Sequence, residues 1–172
     1  MSTKSAKATG TGVIVNFREK VEIKSFREGS VIPKKATKGS AGYDLYACLP
    51  ESNEVMVHPN SSIIIPTGLN VSIPEGFEIQ IRPRSGLAAK HMISVLNTPG
   101  TIDSDYCGDG ENFELKVILV NFGRIPFSIK HQDRIAQMVI CKLPDVDLVE
   151  VEEFSNNSSE DRVGGLGSTG VE

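Results

Sequence analysis

Between residues 62 and 82 three apolar segments follow one another: Ser62–Pro66, residues 69–73 and Phe77–Arg82. Thr67-Gly68 and Pro74-Glu75-Gly76 interrupt them, so none is long enough for a packed helix of the usual ~10–14 residues. They read as short strands. Phe77-Glu78-Ile79-Gln80-Ile81-Arg82 alternates apolar with polar side chains, the period-two pattern of a strand with one face in a core. Residues 115–121 read as a more fully buried strand and residues 134–141 as another; only Ser85–His91 could form a helical turn or two. No internal repeat has the period of a solenoid or propeller. The chain is therefore expected to be all-β, a sandwich or jelly roll.

A chain of 172 residues is large enough for one domain to bury a core and fold alone. Its 16 glycines and nine prolines are scattered rather than gathered into a linker, as strands joined by turns require. No apolar run approaches the roughly 20 residues needed to cross a bilayer. Four zones are expected: a flexible basic leader over residues 1–11, a β core over 12–143, an acidic linker over 144–161 and a Gly-rich arm over 162–172. Residues 1–40 hold nine Lys/Arg against three Asp/Glu, and the remainder nine against nineteen. The leader lacks a hydrophobic signal core and weakly resembles an organelle transit segment; a solubilising arm is the preferred reading. Without interleaved aromatics or a recognised motif, it predicts no specific nucleic-acid binding. Cys48, Cys107 and Cys141, odd in number and without metal-type spacing, fit a reduced, cytoplasmic setting.

Five segments put polar or glycine residues where a plain β core has no need of them. In Ala41-Gly42-Tyr43-Asp44-Leu45-Tyr46-Ala47 the acid is either functional or the cap of a turn. Arg82-Pro83-Arg84-Ser85-Gly86-Leu87 joins a rigid fork of donors to the free amides of a helix start, a combination suited to phosphate; a strand-to-helix turn with a surface arginine is the plain alternative. Asn97-Thr98-Pro99-Gly100-Thr101-Ile102-Asp103-Ser104-Asp105-Tyr106-Cys107-Gly108 reads as a bent hairpin whose unpaired backbone groups can read a flat base. Asp103 there is either a general base for a water or a turn acid. In Asp133-Arg134-Ile135-Ala136-Gln137-Met138 the Gln in an apolar strand needs partners, structural or ligand. Finally, Arg162-Val163-Gly164-Gly165-Leu166-Gly167-Ser168-Thr169-Gly170 can wrap phosphates with backbone amides or be a plain Gly-rich tail. It lacks P-loop spacing.

Taken in order and at these spacings, the five segments resemble the five motifs of trimeric dUTPases over roughly residues 21–170. The resemblance implies a jelly-roll-like β barrel and a homotrimer with three sites at chain interfaces, each closed by a C-terminal arm. A trimer would gather polar motifs that one chain spreads from residue 41 to its end. The implied activity is Mg²⁺-assisted hydrolysis of dUTP to dUMP and pyrophosphate, supplying dUMP for dTTP synthesis and keeping uracil out of DNA. By motif, Asn97 and backbone groups of Gly100, Thr101 and Ile102 would read uracil, and Tyr106 would lie against the deoxyribose and crowd out a 2′-hydroxyl. Asp103 would orient the water attacking the α-phosphorus, and Lys116 would line the nucleoside pocket. Arg84, Ser85, Gly86 and Gln137 would bind phosphates, as would Arg162, Gly167, Ser168 and Thr169 from the arm. Mg²⁺ would be chelated mainly by the triphosphate, with Asp44 an indirect partner through water.

Three departures stand out. Leu166 replaces the usual Phe, so it can cover uracil but not stack on it. Arg162 lies one residue closer than usual to the Gly-Leu-Gly turn. Residues 109–113 look like an insertion before Glu114, one that lengthens a surface loop at small thermodynamic cost while reshaping the rim of the site. Two rivals are a dCTP deaminase on the same fold and a non-catalytic nucleotide sensor or protein-binding module. Ammonia release from dCTP would favour the first. Interactions that depend on the leader or the insertion would favour the second.

Overall fold

A computed structural model describes residues 19–155. Among them run β1 (Glu22–Ser25), β2 (Tyr43–Tyr46), β3 (Glu54–Val57), β4 (Ser62–Pro66), β5 (Leu69–Ser72), β6 (Phe77–Arg82), α1 (Ser85–His91), β7 (Ile93–Val95), β8 (Gly100–Ile102), β9 (Lys116–Asn121), β10 (Phe127–Lys130) and β11 (Arg134–Lys142). A 3-10 turn covers Glu111–Phe113. The strands expected at residues 62–66 and 77–82, and the helical turns expected at 85–91, coincide with β4, β6 and α1. The architecture is all-β and jelly-roll-like, with every strand pairing antiparallel. The largest sheet has the order β2-β11-β6-β8 and a second has β4-β9-β7, while β1 pairs with β5 and β10 with β3.

Alternation in β6 sends Ile79 and Ile81 into the core, and β9, flanked by β4 and β7, is buried along most of its length. With Leu45, Ile65, Leu69, Leu119, Ile135 and Met138 they fill the space between the sheets. Each such side chain contributes about 1.5–3 kcal/mol when removed from water. Asn121, fully buried, stays satisfied: its amide donates to Val57 O (2.9 Å) and Ile125 O (2.8 Å) and accepts from Gly123 N–H (2.8 Å). That ties the end of β9 to β3. α1 buries none of its residues and serves as the link from β6 to β7. It ends at Met92, whose left-handed backbone (φ 56°) lets its N–H close on Ala88 O.

Candidate active site

The three strands β2, β11 and β6 place Asp44, Gln137 and Arg82 in one row, because antiparallel register sets directly opposed residues on the same face. Two residues on, in extended backbone, Arg84 reaches across that row. Its Nε donates to Asp44 Oδ1 (3.1 Å) and its Nη1 to Arg134 O (2.9 Å). Arg134 Nη1 donates to Asp44 Oδ2 (3.3 Å), so one carboxylate lies between two guanidinium groups. One surplus positive charge remains, which suits an anion. Gln137 Nε2 donates to Pro83 O (2.9 Å), the partner its place in an apolar strand demanded. Its Oε1 lies 2.5 Å from where a Cβ on Gly42 would stand, so the backbone at Gly42 approaches as closely as it does only without a side chain. Ser85 and Gly86 open α1, exposed beside this cluster.

The second group forms where β8 joins the edge of β6, with Ile81 opposite Gly100, Gln80 opposite Thr101 and Ile79 opposite Ile102. The hairpin expected over residues 97–106 is not a self-paired ladder. β7 pairs with β9 in one sheet and β8 with β6 in another, so this segment crosses between sheets. The turn is tight: a Cβ on Gly100 would lie 3.2 Å from Asn97 Nδ2. Asn97, Thr101 and Asp103 are exposed, Ile102 and Tyr106 half-buried. Asp103 O accepts Tyr106 N–H (3.2 Å), and the Tyr106 hydroxyl is 3.2 Å from both Asn112 O and Glu114 O. Lys116 donates to Glu111 O (3.2 Å) and lies 3.9 Å from Glu114 Oε2.

Along the sheet, the Asp103 end of the second group stands apart from the first. From Ile79, beside which β8 ends, to Arg84 the strand climbs roughly 16 Å, and β8 to β2 is three strand steps, about 14 Å. Residues 109–113 lie at the surface as expected, four of the five exposed, and are tethered there because Asn70, on buried β5, holds Gly110 by both amide atoms (2.9 and 3.1 Å). Sequence reasoning missed Arg134, although it quoted the motif, and the pair of Arg27 with Glu114 (3.2 Å). Glu114 is buried and also accepts Gly68 N–H (2.8 Å). Its hydrogen bond is the main cause that raises the Arg27 pKa above its ordinary value, ahead of the opposing effect of burial. A charged residue in a run otherwise reading as a strand entry was the available signal.

Among the described residues no three His, Cys, Asp or Glu side chains converge into a metal cage, and both oxygens of Asp44 are engaged by arginines. That donor set suits an ion brought in on phosphate oxygens and water, as Mg²⁺ prefers, rather than one held by protein alone. Arg162, Leu166, Gly167, Ser168 and Thr169 lie outside the described residues.

A family model described as dUTPase matches residues 28–170. The chain is 50% identical over 153 residues to a deoxyuridine 5'-triphosphate nucleotidohydrolase of Wolbachia pipientis subsp. Culex pipiens, covering 88% of this chain and 95% of the relative. A relative of the same name from Fusobacterium nucleatum is 49% identical, with 88% and 99% covered. The fold is similar to that of a mutant dUTPase of Staphylococcus bacteriophage 80alpha with dUpNHpp. The TM-score is 0.74 and the identity 26%, over 88% of this chain and 99% of the other.

Proposed function

The chain belongs to the dUTPase family and is a dUTP diphosphatase, and we propose that it works as a homotrimer whose sites each combine residues of different chains. The observation that carries this reading is the separation of Asp103 from the Arg84–Asp44–Gln137 cluster, which a second copy of the chain can bridge. Exposed apolar side chains support it. Ile64, Met92, Leu96 and Phe122 are exposed on or beside the β4-β9-β7 sheet, and Val146, Leu148, Val149 and Phe154 are exposed beyond β11, apolar surface that another copy of the chain could cover.

In each site Asn97 and the backbone of Gly100, Thr101 and Ile102 read the uracil edge, and Tyr106 and Lys116 line the nucleoside. Arg84, Ser85, Gly86 and Gln137 of a neighbouring chain hold the phosphates. The Asp103 carboxylate takes a proton from a water as that water's oxygen bonds to the α-phosphorus. The bond from that phosphorus to the bridging oxygen breaks, and pyrophosphate leaves opposite the attack. Mg²⁺ bound with the triphosphate would offset charge developing on the phosphate oxygens, and Asp44 would be its indirect partner through water. The arm over residues 162–172 closes the site, with Arg162, Gly167, Ser168 and Thr169 on phosphates and Leu166 over the base. The dUMP formed is a precursor for dTTP synthesis, and removal of dUTP keeps uracil from DNA.

The test is pyrophosphate release from dUTP, dTTP, dCTP and UTP, each with Mg²⁺ and with chelator. Rapid release from dUTP alone, lost with chelator, is expected; release from none, or ammonia from dCTP, overturns the reading. The shared site has its own test. Asp103→Asn and Arg84→Ala chains, each inactive alone, are co-refolded. Activity should return, because some sites then draw an intact Asp103 from one chain and an intact Arg84 from another; no recovery refutes sharing between chains.

A further inference from the structure

We propose that residues 109–113 form a brace that positions Tyr106, and that Phe113 is thereby a specificity-determining residue for the sugar of the nucleotide. The inference rests on the reading above, in which Tyr106 lies against the deoxyribose.

Tyr106 is held from two directions. Its hydroxyl has acceptors in Asn112 O and Glu114 O, each 3.2 Å away, at the end of the 3-10 turn and just beyond it. Its ring meets the Phe113 ring with centroids 5.7 Å apart and planes tilted by 60°, the near-edge geometry that aromatic pairs favour. Phe113 is itself seated. A Cβ on Gly108 would stand 2.3 Å from its ring, so the bare backbone of Gly108 is the floor on which that ring rests.

The brace is fastened to the barrel by contacts of unequal weight. Lys24 Nζ meets Asp109 Oδ1 at 2.7 Å, but both side chains are largely exposed, and such pairs are worth little. The two-way amide contact of buried Asn70 with Gly110 is the stronger anchor, since breaking it leaves polar atoms unpaired in the core. Arg27 adds a third point, joining Glu111 of the brace (2.7 Å) to buried Glu114 (3.2 Å). Strand β1, strand β5 and the brace thus form one body that fixes the phenol of Tyr106. A loop serving only as cover would have no need to aim a carbonyl oxygen and a ring at that residue.

The test compares wild type, Phe113→Ala and Phe113→Tyr for kcat and KM on dUTP and UTP, with thermal melting alongside. Phe113→Ala should keep the melting temperature and kcat on dUTP near wild type. It should lower the preference for dUTP over UTP by roughly tenfold, through KM, as expected when one wall of a discriminating pocket loosens. Phe113→Tyr, which keeps the ring, should restore the preference. An unchanged dUTP-to-UTP ratio in Phe113→Ala overturns the brace, whatever happens to melting. Should Phe113→Ala fail to fold, exposed Glu111→Gln decides in its place: a smaller fall in the same ratio supports the brace and none overturns it. Wild type that leaves dUTP untouched would instead refute the function on which the inference rests.

Discussion

The two halves of the site are built by different means. Asp44, Gln137 and Arg84 stand on or directly beside paired strands, where register fixes their spacing and ion pairs and amide contacts occupy them before any substrate arrives. Asn97, Thr101 and Asp103 flank a turn between sheets, exposed, with only the edge of β6 and the brace to hold them. A phosphate grip gains from being preset, because donors that do not have to reorganise favour the charged transition state. On the proposed reading, a turn that reads a base has to stay open to its ligand, so it depends on supports from outside the turn.

If that contrast is right, the two halves should fail differently. The largest effect belongs to Asp103→Asn: kcat on dUTP should fall by on the order of 10³–10⁴, the usual contribution of a positioned general base, while dUTP binding by calorimetry stays near wild type. Near-normal turnover would remove Asp103 from its role. Next comes Arg27→Met, which leaves the buried Glu114 carboxylate with the more distant Lys116 (3.9 Å) as its remaining cation among the described residues. Breaking such a pair costs about 3 kcal/mol, and urea unfolding should show a loss of that order. Adding Glu114→Met should recover only part of it, since Gly68 N–H then loses its acceptor. A loss below about 0.5 kcal/mol in Arg27→Met would mean that the pair behaves as a surface contact and the brace has a weaker footing.

Gln137→Ala should act more gently and on the other half. It orphans Pro83 O and opens space beside Gly42, so KM for dUTP should rise about tenfold with kcat nearly unchanged. An equal fall in kcat and kcat/KM would instead mean that Gln137 acts in the transition state.

The same contrast explains what could be read from sequence. Strands such as Phe77–Arg82 declare themselves through alternation, and Asp44 and Gln137 stand out as residues a plain strand does not need, so members of the cluster around Arg84 could be picked out one by one. Arg134 was passed over because an exposed arginine at a strand start is commonplace; only cross-strand register brings it to Asp44. The second half depends on partners distant in sequence. Nothing local says that β7 and β8 enter different sheets, or that Asn70 and Arg27 reach forward some forty and eighty-odd residues to hold an insertion.

The smallest predicted effect is chemical accessibility, which the cysteines report at the footing of the brace and at the turn beyond Tyr106. Cys48 lies just past β2, beside the Arg27–Glu114 pair, and is 1% exposed; Cys107 follows Tyr106 and is exposed. Burial pushes the Cys48 thiol above its ordinary value of 9.0, so near neutral pH it holds little of the thiolate that alkylating reagents need. Iodoacetamide followed by mass spectrometry should modify Cys107 in the native protein and Cys48 only on unfolding. The sign of the pH effect follows: the unfolded thiol ionises first, so the stability from keeping Cys48 protonated is complete below pH 9 and declines as pH rises further. Labelling of Cys48 as fast as Cys107 in the folded protein would show that the Arg27–Glu114 footing opens as readily as the exposed turn, and the brace would then have no rigid base.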